Sequence, residues 1–442
     1  MSADPVGRTR IGVVGAGLAG LTAAHRLDAA GCEVVVYDAR PQVGGRAQSY
    51  RDGLEAGQHT DLGPELVTAG YRTFSCLCAE LGVEMSEPVS FDRPGADPDG
   101  TAAEAMLEGG RLILSGVRLD EERVTRLREE IHAALAHSPA EPHEVLAQWV
   151  KRARLTPEAA AAVGAVGAMM SGDATHFDGH HPLGPVWGAI RRVRGGAARL
   201  AEALAAGLDL RLETPVRTIR QAGGVFLTTE GGESERFDQM IVTAPVHVLP
   251  TIGFDPPLEQ PRLAALNSFP PALGGKVVAQ YAEGEDVRAA LAQVCFADGP
   301  IHALWVSNPY VEEGPAVVTG FIGGRHLTLL AAPEAALAEL DETVATATGS
   351  PVTRIAGTVK NWSADRWALS VTTTPGSSQR GDVVPRVARP ANRVHFAGDY
   401  TDFWWAGTME GAVRSGERAA AEILRRPARI PLPEIDARLV RR

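Results

Sequence analysis

The sequence predicts an α/β protein of two domains: a doubly wound, Rossmann-like dinucleotide-binding domain assembled from separated segments, and a second domain of mixed sheet and helices. Three observations predict it. Residues 11–46, IGVVGAGLAGLTAAHRLDAAGCEVVVYDARPQVGGR, read as strand, glycine turn, helix and strand. Apolar runs bounded by turn residues return at 208–249 and at 393–399, after intervening helical stretches. At 442 residues the chain is also long enough for two domains and a large core.

The opening unit carries the first chemistry. In Gly15-Ala16-Gly17-Leu18-Ala19-Gly20, Gly15 allows a tight turn, Gly17 lets the backbone approach a pyrophosphate, and Gly20 lets the helix pack on the strand. The positive end of the helix dipole then points at the phosphates. Asp38, 18 residues after Gly20, is placed to accept from ribose hydroxyls. GxGxxG alone is a weak signal that a merely glycine-rich turn also satisfies; the flanking strands and the acid sharpen it. Ala39 and Arg40 follow the acid, and then come Gly44-Gly45-Arg46. A nicotinamide unit has no need of this second loop. FAD, a larger dinucleotide, can use the backbone approach at Gly45 and the charge of Arg46. The stretch resembles the start of the flavin monoamine oxidase family, and FAD is the expected cofactor.

Composition narrows the class. Apolar content of 45% and charged content of 22% suit an ordinary globular protein, while a net charge of −11 argues against nucleic acid or an anionic membrane as the main partner. Cys32, Cys76, Cys78 and Cys295 are scattered without a CxxC pair, so a reducing compartment is expected. Neither terminal stretch has an apolar run approaching the roughly 20 residues of a spanning helix, whereas mitochondrial monoamine oxidases end in a membrane anchor. A cytoplasmic protein is expected, with a homodimer as the oligomer considered.

Downstream, extended structure is expected around Asp61-Leu62-Gly63-Pro64-Glu65-Leu66, a helix over 73–81 and a loop over 94–100. Helices are expected at 119–136, 142–154 and 157–170, the last with Pro157 in its first turn, followed by one opening near Leu200. His176, His180 and His181 lie between these helices without helical His-x-x-x-His spacing, so no metal site is expected there. A Gly223-Gly224 hairpin turn joins two strands. Strands follow at 276–281, 303–307 and 316–322, then a helix over 333–347, a strand ending in Gly398-Asp399, and a last helix over 409–425.

The segment RVHFAGDYTDFWWAGTMEGAVRSGERAAAEIL resembles the C-terminal flavin motif of the same family along its whole length. The resemblance implies that Asp399 holds the ribityl hydroxyls and that the helix opening at Met409 to Ala412 faces the flavin pyrimidine. It also implies that Val216 touches the adenine and that Gly63 passes close to the isoalloxazine. Lys276, after Gly274-Gly275, matches the family lysine that holds a water at flavin N5, although a lysine heading an apolar strand is ordinarily a snorkelling surface residue. Trp362 matches a tryptophan that packs near flavin and substrate. Where covalent members carry their flavin-linking cysteine this chain has Val371, which implies non-covalent FAD.

Its departures bear on the substrate. Thr372 and Thr408 stand where monoamine oxidases carry two cage tyrosines, and Glu65-Leu66 stands where L-amino-acid oxidases carry a carboxylate-clamping arginine. An amine or acylated, amide-like amine is therefore expected as substrate, as in bacterial secondary metabolism, with O2 as the second substrate. Glu65 is either a salt-bridged loop residue or a partner or base for the substrate nitrogen. Arg325 is a second candidate contact. The expected division is an FAD-binding domain from 1–75, 207–261 and 385–428, a substrate domain from 76–206 and 262–384, and a tail over 429–442. A carotenoid-type desaturase, an L-amino-acid oxidase and a non-catalytic FAD-binding scaffold are the rival readings.

Overall fold

The computed structural model describes residues 8–90, 111–139, 141, 144–171, 189–373 and 380–430. The expected loop at 94–100, the three histidines at 176–181 and nearly all of the 429–442 tail lie outside the described residues. Its organising layer is a five-stranded, wholly parallel sheet in the order Asp209–Arg211, Glu33–Tyr37, Arg10–Val14, Gln239–Val242, Val394–Phe396. Three distant stretches of chain thus meet in one sheet.

Both faces of this sheet are covered, which is why its strands are continuous apolar runs rather than alternating ones. Ile11, Val13 and Val36 point to one side, into a core with the helices Leu18–Asp28, Arg72–Glu80, Ala198–Ala205 and Met409–Leu424. Val14, Val35 and Tyr37 point to the other, against Ile219, Leu227 and Phe237 of a four-stranded sheet. The helices Leu18–Asp28 and Met409–Leu424 cross closely, and a side chain at Gly416 would fall on the Ala19 carbonyl.

The second body is a seven-stranded mixed sheet, ordered Arg354–Asn361, Gly274–Tyr281, Ala316–Gly323, Ala303–Val306, Cys295–Ala297, Arg111–Leu114, Val117–Arg118. The helices Glu121–His137, Leu146–Ala153 and Pro157–Ser171 pack on one face, and Pro333–Thr348 on the other. Asp120 caps the first of these by accepting from the Arg123 N–H at 2.8 Å. The edge strand Arg354–Asn361 and the strand Arg111–Leu114 were not expected. The first is only half-buried along its length and so lacks a strong period; the second makes only a two-residue hairpin with Val117–Arg118, and its other partner, Cys295–Ala297, lies about 180 residues away.

Two expected domain boundaries fall differently against these cores. The 75/76 boundary cuts the helix Arg72–Glu80, and the 206/207 boundary assigns Ala198–Ala205 to the substrate side. Both helices pack instead in the core around Leu18–Asp28, because Phe74, Leu77, Leu200 and Leu204 bury their apolar faces there. Among the described residues, no helix is long and apolar enough to cross a membrane.

Candidate active site

The turn after the first strand forms an open cradle. Gly15 has φ 107°, a conformation that L side chains rarely adopt, and its N–H donates to the Tyr37 carbonyl at 2.7 Å. Asp38 accepts from the Ala16 N–H at 2.6 Å and the Arg40 N–H at 2.8 Å. Burial pushes the Asp38 carboxyl up, against the opposing pull of those two amides. The second glycine loop lies directly on the first: the Gly44 N–H donates to the Ala16 carbonyl at 2.8 Å, and a Cβ on Gly45 would stand 3.3 Å from the Gly17 Cα. A Cβ on Gly17, by contrast, would meet nothing within 4 Å. No side chain caps the helix Leu18–Asp28. An uncapped helix start facing open, glycine-lined space suits a pyrophosphate.

The other expected cofactor residues lie on several separate elements. Arg46 donates to Asp399 at 2.6 Å and to the Thr373 hydroxyl at 3.3 Å, which ties the first motif to the last. Gly398, at φ 136°, donates its N–H to Ser415. Val216 begins the strand Val216–Gln221. Met409 and Ala412 lie in the first turn of the helix that Thr408 caps, its hydroxyl accepting from the Gly411 N–H at 3.1 Å. Gly63 passes close to Trp362, which is buried and donates from its indole N–H to the Leu62 carbonyl at 2.6 Å. Arg40 and Lys360 stand over the Trp362 ring and share Asp365.

The buried centre is an ionic cluster drawn from four elements. Lys276, in the strand Gly274–Tyr281, is 7% exposed, so it does not snorkel to the surface. Its ammonium donates to Glu65 Oε2 at 2.7 Å and to the Asp61 carbonyl at 2.8 Å. Glu65 Oε1 accepts from the Trp305 indole at 2.6 Å and from Arg192 Nε at 3.1 Å. Burial alone would raise the Glu65 carboxyl, but Lys276 and Arg192 outweigh it and hold the group below the usual carboxylate range. Asp61, fully buried and near the Glu65 charge, is pushed up to about 6. The two glycines before Lys276 have a packing cause: a side chain at Gly275 would fall on the Lys360 carbonyl of the neighbouring strand.

The remaining expected residues separate. Thr372 donates to the Gly407 carbonyl at 2.6 Å, and Thr408 to the Trp405 carbonyl at 2.7 Å, so both stand at the same junction. Arg325 is exposed and donates to the His326 ring and the Asp298 carbonyl; none of its described bonds joins it to Glu65 or Lys276. Sequence reading missed Arg192, Trp305, Tyr71 and Trp405. Trp405 packs edge-on to Tyr71 at 5.4 Å beside Thr408. Trp305 sits in an apolar strand where a tryptophan reads as core; the four-arginine stretch from Arg191 to Arg199 was the one signal for Arg192.

A glycine cradle at an uncapped helix start and a buried lysine in a separate sheet suit a two-domain, dinucleotide-dependent oxidoreductase. Residues 18–424 match the family described as flavin containing amine oxidoreductase, and the chain belongs to that family, whose cofactor is FAD. The residues around Gly17, Asp38, Arg46 and Asp399 fit that cofactor. Among its relatives, the flavin-containing monoamine oxidase AofH of Mycobacterium tuberculosis is 27% identical, covering 93% of this chain and 95% of its own. Human amine oxidase [flavin-containing] B is also 27% identical, covering 96% and 87%. The fold is shared with the cyclohexylamine oxidase of Brevibacterium oxydans, at TM-score 0.77 and 22% identity, over 95% of this chain and all of the other.

Proposed function

We propose that this amine oxidoreductase is an oxidase that removes hydride from a carbon bearing nitrogen in an amine or amide-like substrate. The product is an imine, and O2 is the final acceptor, released as H2O2. FAD supplies the hydride acceptor and the reaction with oxygen. Glu65 carries the reading, because it puts an ionised carboxylate beside the family's lysine. Its Oε2 takes the proton from the substrate N–H, or pairs with an ammonium, as the C=N bond forms. Lys276 places a buried cation where negative charge develops during oxygen reduction. Thr372 and Thr408, smaller than cage tyrosines, leave room for a bulky acyl group. Those two threonines favour a natural-product intermediate over a simple arylalkylamine as the substrate. The unpaired cysteines favour the cytoplasm. Peroxide release with a panel of amines and acylated amines tests the reading; turnover of free α-amino acids alone would favour an L-amino-acid oxidase, and desaturation without peroxide a desaturase.

FAD is held non-covalently on this reading, since Val371 occupies the position of the linking cysteine. Acid or heat denaturation is expected to leave the yellow colour in the supernatant; colour that sediments with the chain refutes it. Lys276→Met is expected to bind FAD and to slow reoxidation of the reduced flavin by O2 at least about tenfold, about 1.4 kcal/mol of barrier. Stopped-flow reoxidation at the wild-type rate would remove Lys276 from that step.

A further inference from the structure

We propose that Arg192 and Trp305 are positioning residues that fix the Glu65 carboxylate with Oε1 occupied and Oε2 open, making Oε2 the atom that takes the substrate proton. The inference rests on the reading of Glu65 given above. A carboxylate offers about four acceptor directions, two on each oxygen. The Trp305 indole N–H at 2.6 Å and the Arg192 Nε–H at 3.1 Å fill both directions on Oε1. Lys276 fills one on Oε2 at 2.7 Å, and among the described residues no other group takes the second.

The two positioning residues are themselves fixed. The Arg192 backbone N–H donates to the Ser86 hydroxyl at 3.0 Å, and a second guanidinium nitrogen reaches the Val306 carbonyl at 3.4 Å. Trp305 lies in the strand Ala303–Val306, with Lys276 5.3 Å from its ring centroid. Lys276, Arg192 and Trp305 therefore hold the carboxylate from three sides in a site where all four residues are buried. In the step itself the substrate N–H bond breaks and Oε2–H forms. The nitrogen electron pair would close the C=N bond as the carbon's hydrogen left with its electron pair, for which bound FAD would supply the acceptor.

Removing a cation from a carboxylate raises its pKa by about one to three units. Arg192→Gln is thus expected to move the acid limb of anaerobic flavin reduction upward by at least one pH unit. Trp305→Phe moves it in the same direction by less, and Arg192→Lys returns it most of the way. Besides Lys276 and Arg192, the titratable groups facing Glu65 among the described residues are Asp61, His59 and Tyr310. Burial and the Glu65 charge push Asp61 up to about 6, so the series is repeated in Asp61→Asn to keep its limb apart.

The measurement uses the FAD-loaded enzyme, with the visible spectrum reporting that each variant has folded, and methylamine to N-acetylated amines as probes. In a Glu65→Gln background, Arg192→Gln is expected to change the reduction rate less than twofold, because the atom it positions is gone. Slow reduction in Glu65→Gln together with unshifted limbs in both Arg192→Gln and Trp305→Phe overturns the positioning claim and leaves Glu65 as the base. Wild-type reduction in Glu65→Gln overturns both.

Discussion

Glu65→Gln is expected to lower anaerobic flavin reduction at least about a hundredfold, about 2.7 kcal/mol of barrier, while the flavin spectrum is retained and substrate affinity stays within a few-fold. Glutamine keeps the shape and the contact to Trp305 but cannot take a proton. It also leaves Lys276 and Arg192 facing each other without an anion between them, and breaking such a buried pair costs about 3–5 kcal/mol. A lowered thermal midpoint should therefore accompany the lost rate. Glu65→Asp separates the two effects: it keeps the charge but draws the carboxylate back, so stability should largely recover while reduction stays slow. The acid limb has a defined sign. Because Lys276 and Arg192 hold Glu65 below the usual carboxylate range, the base is available across neutral pH and is lost only as pH falls through that lowered value. Reduction of Glu65→Gln at the wild-type rate would return Glu65 to a structural salt bridge.

Gly17→Val is expected to give folded, colourless protein with FAD affinity reduced at least about a hundredfold. The backbone at Gly17 is extended, with φ −78° and ψ 176°, and a Cβ there meets nothing within 4 Å, so the backbone and the first side-chain atom of valine are tolerated. The space it fills is the one a pyrophosphate needs at the uncapped helix start. Gly20 makes the contrasting control, since a side chain there would fall on the Gly15 carbonyl and disturb the fold as well. A native circular dichroism spectrum separates the two cases, and a yellow Gly17→Val with full FAD content would sink the assignment of the cradle.

The sequence by itself determined what repeats at short range. The glycine turns, Asp38 at the end of its strand, the strand ending at Gly398-Asp399 and the helix opening at Met409 follow from local rules of period, turn geometry and helix ends. They point to a dinucleotide, and the resemblance of the first and last motifs to the flavin monoamine oxidase family implies FAD before any contact is known. Lys276 was legible only through the order of motifs, because a lysine leading an apolar strand has the same local pattern whether it snorkels or is buried. Tertiary structure decided the rest. Arg192 lies 127 positions from Glu65, and Trp305 lies 240 away, and no periodicity reports such a meeting. The partners of Glu65 arise because a loop after one short strand, the end of another and two strands of the seven-stranded sheet converge on one buried point. An ionised carboxylate in that place is stable only when the cations from those distant segments arrive with it.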